Sequence, residues 1–347
     1  MRKIKPLFSF LLFNPIWIFL AFILIFPSSL RMVRFLYTPL ITEQAFFYSL
    51  KPKSNIYHLT ADLLEQGVLQ NPRLFLLLGY CKGAVDTLKA GEYHLSIGTT
   101  PIECLDKMKE GRVLLHRLTI VEGWTVQHLL EHLQEDKRFK NDITEDFLKS
   151  LKDSRSYSQT NSLEGLFFPE SYDYPRATLA SHILKHAFDL MHQQLSSEWD
   201  KRQSNLPWKS PYEALIAASL VEKETSIPKE RAKIAAIIIK RIQKNMPLQI
   251  DASVIYGLGK DYTGQLKKSD LKRDMPYNTY TRLGLPPTPI AIPSLASIHA
   301  VLHPIKTTAL YFVTSGEDGH VFSDTLTEHN RAIASYRLKK IKFKEDA

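Results

Sequence analysis

Residues Ala214 to Val221 read ALIAASLV, with no charged side chain and only one small hydroxyl. A helix that is apolar around its whole circumference is stable in water only when other elements enclose it, so this segment has to be the centre of a sizeable domain. It runs directly into Glu222, Lys223 and Glu224. Two residues apart on a helix is a rotation of roughly 200°, so the two carboxylates leave on nearly opposite sides and at most one faces any cleft. Glu224 continues the line Ala217, Leu220, Val221, and Glu222 continues Leu215, Ala218, Ser219. Both lines are apolar, and periodicity does not choose between them. A carboxyl held against apolar walls has its charged form disfavoured, which suits a general acid. On these residues alone, two helix-end acids paired with Lys223 and Arg231 are the stronger explanation.

The chain has 347 residues, 44% hydrophobic and 23% charged, enough to bury a real core around such a helix. Its formal net charge of +9 suits an anionic surface or polymer, or simply a solvated exterior. No dense internal basic block or nucleic-acid-binding signature is present, which sets nucleic acid aside. Cys81 and Cys104 lack the spacing of a zinc site; they read as two separate buried thiols, or as a disulfide if the domain lies outside the cytoplasm. His320 and His329 have no ligand spacing either and read as hydrogen-bonding or packing residues, so no metal is expected.

At the amino terminus, Arg2, Lys3 and Lys5 precede LFSFLLFNPIWIFLAFILIF, Leu7 to Phe26. About 20 apolar residues span a hydrocarbon core, and this run has that length without a charge. PSSLRM after it is a poor cleavage site, so the run is expected to be a retained anchor, with a cleaved signal peptide as the alternative. Arg31 and Arg34 beyond it nearly balance the flanks, so the charge rule sets orientation only weakly. The expected organisation is a short cytoplasmic tail over 1–6, a transmembrane anchor over 7–27, and a connector with a first strand over 28–58. A small subdomain over 59–125 and a larger domain over 126–340 follow. The fold class is α+β.

In the small subdomain, Leu63, Leu64, Val68 and Leu69, then Leu74 and Leu76–Leu78, predict two helices separated at Asn71-Pro72-Arg73. Glu92 to Ile97 alternates as a strand, Gly98-Thr99-Thr100 makes a turn, Thr99 or Thr100 caps a helix beginning near Pro101, and Gly111 ends it. This strand–turn–helix resembles the LysM glycan-binding module. A strand then runs through Glu122-Gly123-Trp124-Thr125 into a helix capped by Thr125. Residues 137–162 are polar, and KDSRSYSQTNS within them, Lys152 to Ser162, reads as a loop.

Three further segments carry unusual combinations. LEGLFFPESYDYPRATL, Leu163 to Leu179, sets Glu164, Glu170 and Asp173 among aromatic residues. Sugar rings need such faces and acids, although alone the segment is better explained as an aromatic core with surface acids. MPLQIDASVIYG, Met246 to Gly257, places Gln249, Asp251 and Ser253 in alternation, as on one face of a strand. Those residues suit a binding groove or a solvated strand face. The proline-rich segment from Tyr277 to Pro304 reads as a stiffened exposed loop carrying Tyr277, Asn278 and Tyr280. Behind it, YFVTSGEDGHVFS reads as a hairpin.

Taken in order behind one apolar run, VEGWT, EGLFFPESY, ASLVEKET, LQIDASVIYG, YNTY, GLPPTPI and the final YFV…EHN resemble the MltG/YceG family of endolytic murein transglycosylases. The resemblance covers about residues 45–335. It implies a LysM-like subdomain beside an α+β catalytic domain on the outer side of the bacterial cytoplasmic membrane. It also implies cleavage of the MurNAc–GlcNAc β-1,4 bond within nascent peptidoglycan strands to give 1,6-anhydroMurNAc ends. The second glutamate of EKET, here Glu224, is then the general acid/base, and Glu222 and Glu164 are supporting acids. Glu170, Gln249, Asp251, Ser253, Tyr277, Asn278 and Tyr280 become candidate substrate-binding residues. No cofactor is implied, and the partners are glycan strands and peptidoglycan synthases such as penicillin-binding proteins. The contrasting reading is a membrane-anchored, peptidoglycan-binding scaffold without catalysis. Three words depart from the family pattern: Asp251-Ala252-Ser253 for DPT, Lys240-Arg241-Ile242 for NRL, and Ile292-Pro293-Ser294 for NPG.

Overall fold

The computed structural model describes residues 15–154, 162–316 and 319–345. The chain divides into two compact units: one comprises the chain up to His116 with Tyr174–Arg176, the other Arg117–Asp173 and everything from Ala177.

The first unit opens with helix α1 (Pro15–Tyr37). The connector expected from residue 28 is therefore helical for its first ten residues. Ser29 returns its hydroxyl to the Phe26 carbonyl, and Phe35 is only 8% exposed within the core of this unit, so the helix has both local and packing reasons to continue. Among the described residues no helix is long and apolar enough to cross a membrane. Residues 1–14, with the expected tail and the start of the expected anchor, lie outside them.

Strand β1 (Phe46–Leu50) pairs antiparallel with β2 (Gly91–Leu95), Phe46 opposite Leu95 and Leu50 opposite Gly91. Tyr48, Leu50, Tyr93 and Leu95 point inward onto helices α2 (Ile56–Glu65), α3 (Pro72–Cys81) and α4 (Pro101–Glu110). Phe47 and His94, on the other face, stack on each other with centroids 4.9 Å apart. Thr100 is the cap of α4: its hydroxyl accepts from Glu103 N and the Glu103 carboxylate accepts from Thr100 N. Gly111 ends α4 in the left-handed conformation, which a side chain would disfavour. Both cysteines are free, and Cys104 is buried as expected. Cys81 is exposed, because the last turn of α3 turns it outward.

Strand β3 (Leu115–Thr119) and β4 (Ser171–Pro175) form a second ribbon, fastened at its Thr119–Ser171 hydroxyl pair and by the Arg117–Asp173 fork. Between them lie α5 (Val126–Glu135), capped by Thr125, and α6 (Glu145–Asp153), capped by Thr144. Helix α6 falls inside the polar stretch and only its last two residues reach the segment expected to be loop, of which residues 155–161 lie outside the described residues. Phe147, Leu148 and Leu151 share one face of the helix, a short apolar stripe at helical spacing, and Leu151 is its one buried residue.

The rest of the second unit is mainly helical: α7 (Ala180–Asp200), α8 (Pro211–Glu224), α9 (Pro228–Gln243), α10 (Asp251–Leu258), α11 (Lys268–Lys272) and α12 (Leu295–Leu302). The hairpin β5 (Tyr311–Thr314) and β6 (His320–Ser323) follows, with α13 (Leu326–Glu345) against it. Helix α8 is the one apolar on every side, and α7, α9, α10 and α12 all pack on it. Every residue from Ala214 to Val221 is buried. Enclosure by four helices is the arrangement that an all-round apolar helix requires.

Gly165, in the EGLFF segment, sits at φ +75° where an added Cβ would lie 2.7 Å from the Cβ of Pro289. Neither the ring nor the adjoining Ala291 carbonyl at 3.3 Å can swing away. Gly165→Ala is expected to destabilise the protein by about 2–4 kcal/mol, combining backbone strain with overpacking. A urea titration measures it, and an unchanged midpoint would contradict this account.

Candidate active site

The site begins where α8 stops. Thr225, in extended conformation, caps the helix, and its hydroxyl accepts from Ile227 N and meets Glu230 Oε2 at 3.2 Å. Pro228 then starts α9. Glu230 also accepts from His320, through its backbone N at 2.9 Å and ring Nδ1 at 2.6 Å. The short break between the two helices is thus clamped to the β5–β6 hairpin. The last residue of α8, Glu224, is held in a fixed place.

Glu222 and Glu224 leave the helix in different directions. Glu222 Oε2 accepts three hydrogen bonds, from Ser294 N, Ser294 Oγ and Ser297 Oγ, at 2.9, 2.5 and 2.7 Å. Its Oε1 lies 3.6 Å from Arg231. It fastens the start of α12 to α8, and its oxygens are occupied. Lys223 donates to the Gly123 carbonyl of the VEGWT turn rather than to either glutamate.

Glu224 instead lies within electrostatic reach of Asp251 and Arg241. Desolvation, with the Asp251 charge adding to it and Arg241 opposing it, pushes its carboxyl up to about 7. The carbonyl end of α8 acts in the same direction. The residue nevertheless keeps part of its surface open to solvent. A second carboxyl in this unit, Glu164, is also raised to about 7, chiefly by burial. Glu164 is only 5% exposed, accepts from Val126 N at the start of α5 and from the Tyr256 hydroxyl, and is enclosed. Of these two carboxyls, Glu164 is enclosed and Glu224 is the less covered.

Gln249, Asp251 and Ser253 do not share a strand face. Gln249 sits at φ +55°, and Asp251 and Ser253 occupy the first turn of α10. The alternation of small polar residues is a helix entry: Ile250 N donates to the Thr279 hydroxyl and Ser253 Oγ to the Ile250 carbonyl. Asp251 is exposed and takes the Tyr280 hydroxyl at 2.5 Å. Gln249 is exposed, with its Oε1 touched by Arg241. Ser253 is fully buried on Thr279. Asn278 is fully buried too: its amide donates to three carbonyls, of Asp270, Leu271 and Arg273, and its Oδ1 accepts from Tyr280 N. Both residues shape the loop that presents Tyr280. Tyr277 packs edge-on against Tyr256 and shares a hydrogen bond with Thr288. Glu170 is exposed, caps its own β4 entry at Ser171 N, and is not among the charges acting on Glu224.

Arg241 is the residue that sequence reasoning passed over. It is 7% exposed, stacks on Tyr311, and donates to the carbonyls of Leu310, Pro247 and Leu248. It joins α9, the segment before α10 and the residue before β5, and its charge acts on Glu224. The signal was available: Arg241 continues the Ile234, Ile237, Ile238 stripe of α9, and a cation on a buried stripe has to serve something.

The YceG-like family model matches residues 48–335. A Bacillus subtilis (strain 168) protein named endolytic murein transglycosylase is 32% identical over 303 residues, which is 82% of each chain. A protein of the same name from Streptococcus pneumoniae serotype 2 (strain D39 / NCTC 7466) is 29% identical over 325 residues, 83% of this chain and 58% of that one. This chain thus spans little more than half of the pneumococcal relative. The crystal structure of a yceG-like protein from Listeria monocytogenes superposes with TM-score 0.56 at 26% identity, covering 83% of this chain and 98% of that one.

Proposed function

This chain belongs to the YceG-like family, and from that premise we propose that it is a lyase, an endolytic murein transglycosylase with Glu224 as its single acid/base. The observation that carries this reading is the contrast within the second unit. Among the described carboxyls of that unit, Glu164 and Glu224 are the two raised to about 7, and Glu224 is the less covered of them.

The steps follow from one carboxyl. Protonated Glu224 donates to the bridging oxygen of a MurNAc–GlcNAc β-1,4 bond, the bond electrons leave with that oxygen, and positive charge develops at C1 of MurNAc. The C6 hydroxyl of the same sugar attacks C1 and gives its proton to the Glu224 carboxylate. The 1,6-anhydro ring closes and the acid is regenerated. An intramolecular nucleophile has a high effective molarity, so no second carboxylate is needed to activate water. The Arg241 charge steadies the carboxylate formed between the two transfers, and Asp251 keeps it basic enough to take the second proton. Asp251, Tyr280 and Gln249 form the polar rim at which sugar hydroxyls and N-acetyl groups bind.

The first unit supports a LysM-like, glycan-holding role, because β2 runs through the Gly98–Thr100 turn directly into α4. Anchoring at the bacterial cytoplasmic membrane, with both units outside, rests on the Leu7–Phe26 run and on exposed Phe26, Leu30, Val33 and Tyr37 of α1 near Arg31 and Arg34. A synthase extending the same strand is the partner this placement implies.

Mass spectrometry of peptidoglycan digested by the full chain tests the reading. Anhydro-muropeptide ends are expected from internal cuts. Reducing ends would replace the lyase with a hydrolase, and sacculus binding without soluble product would leave a scaffold.

A further inference from the structure

The last turn of α7 and the end of α12 bring three metal-ligating side chains together. Glu198 Oε2 and His299 Nδ1 are 2.7 Å apart, and the rings of His299 and His303 stack at 4.2 Å. One ligand atom from each of Glu198, His299 and His303 lies within 4.8 Å of the others. Lys201 reaches the other oxygen of Glu198 at 3.9 Å, which leaves Oε2 turned to the histidines. Nε2 of His303 is buried and has no hydrogen-bond partner. Buried polar atoms are normally satisfied, so an orphaned imidazole nitrogen beside a carboxylate–histidine pair needs an account. Glu198 and His299 also line an open cleft of about 570 Å³, bordered by Pro228, Leu295 and Ala296, which gives a small ion a way in.

We propose that Glu198, His299 and His303 form a binding site for a divalent transition-metal cation, with Zn²⁺ the best-fitting ion. Two imidazoles and one carboxylate are a set that Zn²⁺ accepts, with a fourth position left for water. Ligand atoms around zinc stand roughly 3.4 Å apart, so on binding Glu198 Oε2 and His299 Nδ1, now 2.7 Å apart, separate by about 0.7 Å to admit the ion between them. Residues four apart near a helix end face the same side, which is why His299 and His303 converge on the α7 carboxylate.

The site has a structural consequence. Glu222 pins the first turn of α12 to α8. A metal at His299 and His303 would pin the other end to α7. The helix that receives Glu222 would then be held at both ends, independently of the chemistry at Glu224.

The test is isothermal titration of Zn²⁺ into the untagged, chelator-treated full chain, with thermal melts alongside. One Zn²⁺ per chain and a higher melting temperature are expected. Affinity should fall at least about tenfold in His303→Ala and in Glu198→Gln. His299→Ala is the safeguard variant: its side chain is 59% accessible, so its loss leaves folding intact while removing a ligand. No saturable binding by wild type, or equal binding by wild type and His299→Ala, overturns the assignment.

Discussion

Glu224→Gln is expected to abolish anhydro-product formation while making the protein more stable at pH 8. Both effects come from the same carboxyl. Gln keeps the shape but can neither donate the first proton nor accept the second, and removing general acid–base catalysis alone costs about 10²–10⁴-fold. Here one group serves both transfers, so the loss falls at or beyond the upper end. The stability effect follows from linkage. The folded-state pKa of Glu224 is raised from 4.5 to about 7. The folded protein therefore holds a proton that the unfolded chain releases, and stability declines as pH rises from about 4.5 to 7. Above pH 7 the accumulated cost is on the order of 3 kcal/mol, because the charged form has to be kept among apolar walls and near Asp251. Glutamine does not ionise and escapes that cost. Urea denaturation of both proteins at pH 4.5 and pH 8 should show the variant gaining only at pH 8. The same pKa predicts that wild-type kcat/KM falls above pH 7, by up to tenfold per pH unit, as the acid form is lost. Anhydro products from the variant would sink the assignment, and equal stability of the two proteins at pH 8 would show that Glu224 is not held in a desolvated site.

Much of this site was legible in the sequence because helix physics is local. The central position of α8 followed from eight residues without a charge. The divergence of Glu222 and Glu224 followed from their spacing, and the caps at Thr100 and Thr125 from their neighbours. The family resemblance, not periodicity, singled out Glu224. The part that misled was Gln249 to Ser253. Alternating polar residues suggested a strand, but Thr279, some 26 residues later, supplies a hydroxyl and a carbonyl that turn this stretch into a helix start. Asn278 misled for a related reason. A polar residue in a proline-rich loop reads as exposed, yet here it satisfies three backbone carbonyls and is fully buried. Loop interiors depend on long-range partners, and a single sequence does not reveal them. Arg241 shows the opposite case, in which an unusual residue on an apolar stripe announced a buried cation that was there to be read.

Glu222→Ala is expected to damage the fold rather than the chemistry. The Glu222 side chain is 6% accessible and that of its partner Arg231 is 12% accessible. Removing the carboxylate strips three donors of their acceptor at the start of α12. It also leaves Arg231 without its counter-charge, while its Nε already has no partner. Breaking one side of a buried charge pair typically costs 3–5 kcal/mol, roughly 10 °C in melting temperature for a unit of this size. Glu222→Gln keeps an acceptor for one or two of the donors and should lose about half as much. At 15 °C the folded fraction of Glu222→Ala should still release anhydro products at a rate within several-fold of wild type, because Glu224 is positioned by α8 and by the Thr225–Glu230–His320 clamp, not by α12. Two glutamates two residues apart thus separate cleanly in two measurements. Glu224→Gln loses activity and gains stability, whereas Glu222→Ala loses stability and keeps activity. A Glu222→Ala protein that melts like wild type but releases no product would reverse the two roles and place the acid on the other side of the helix.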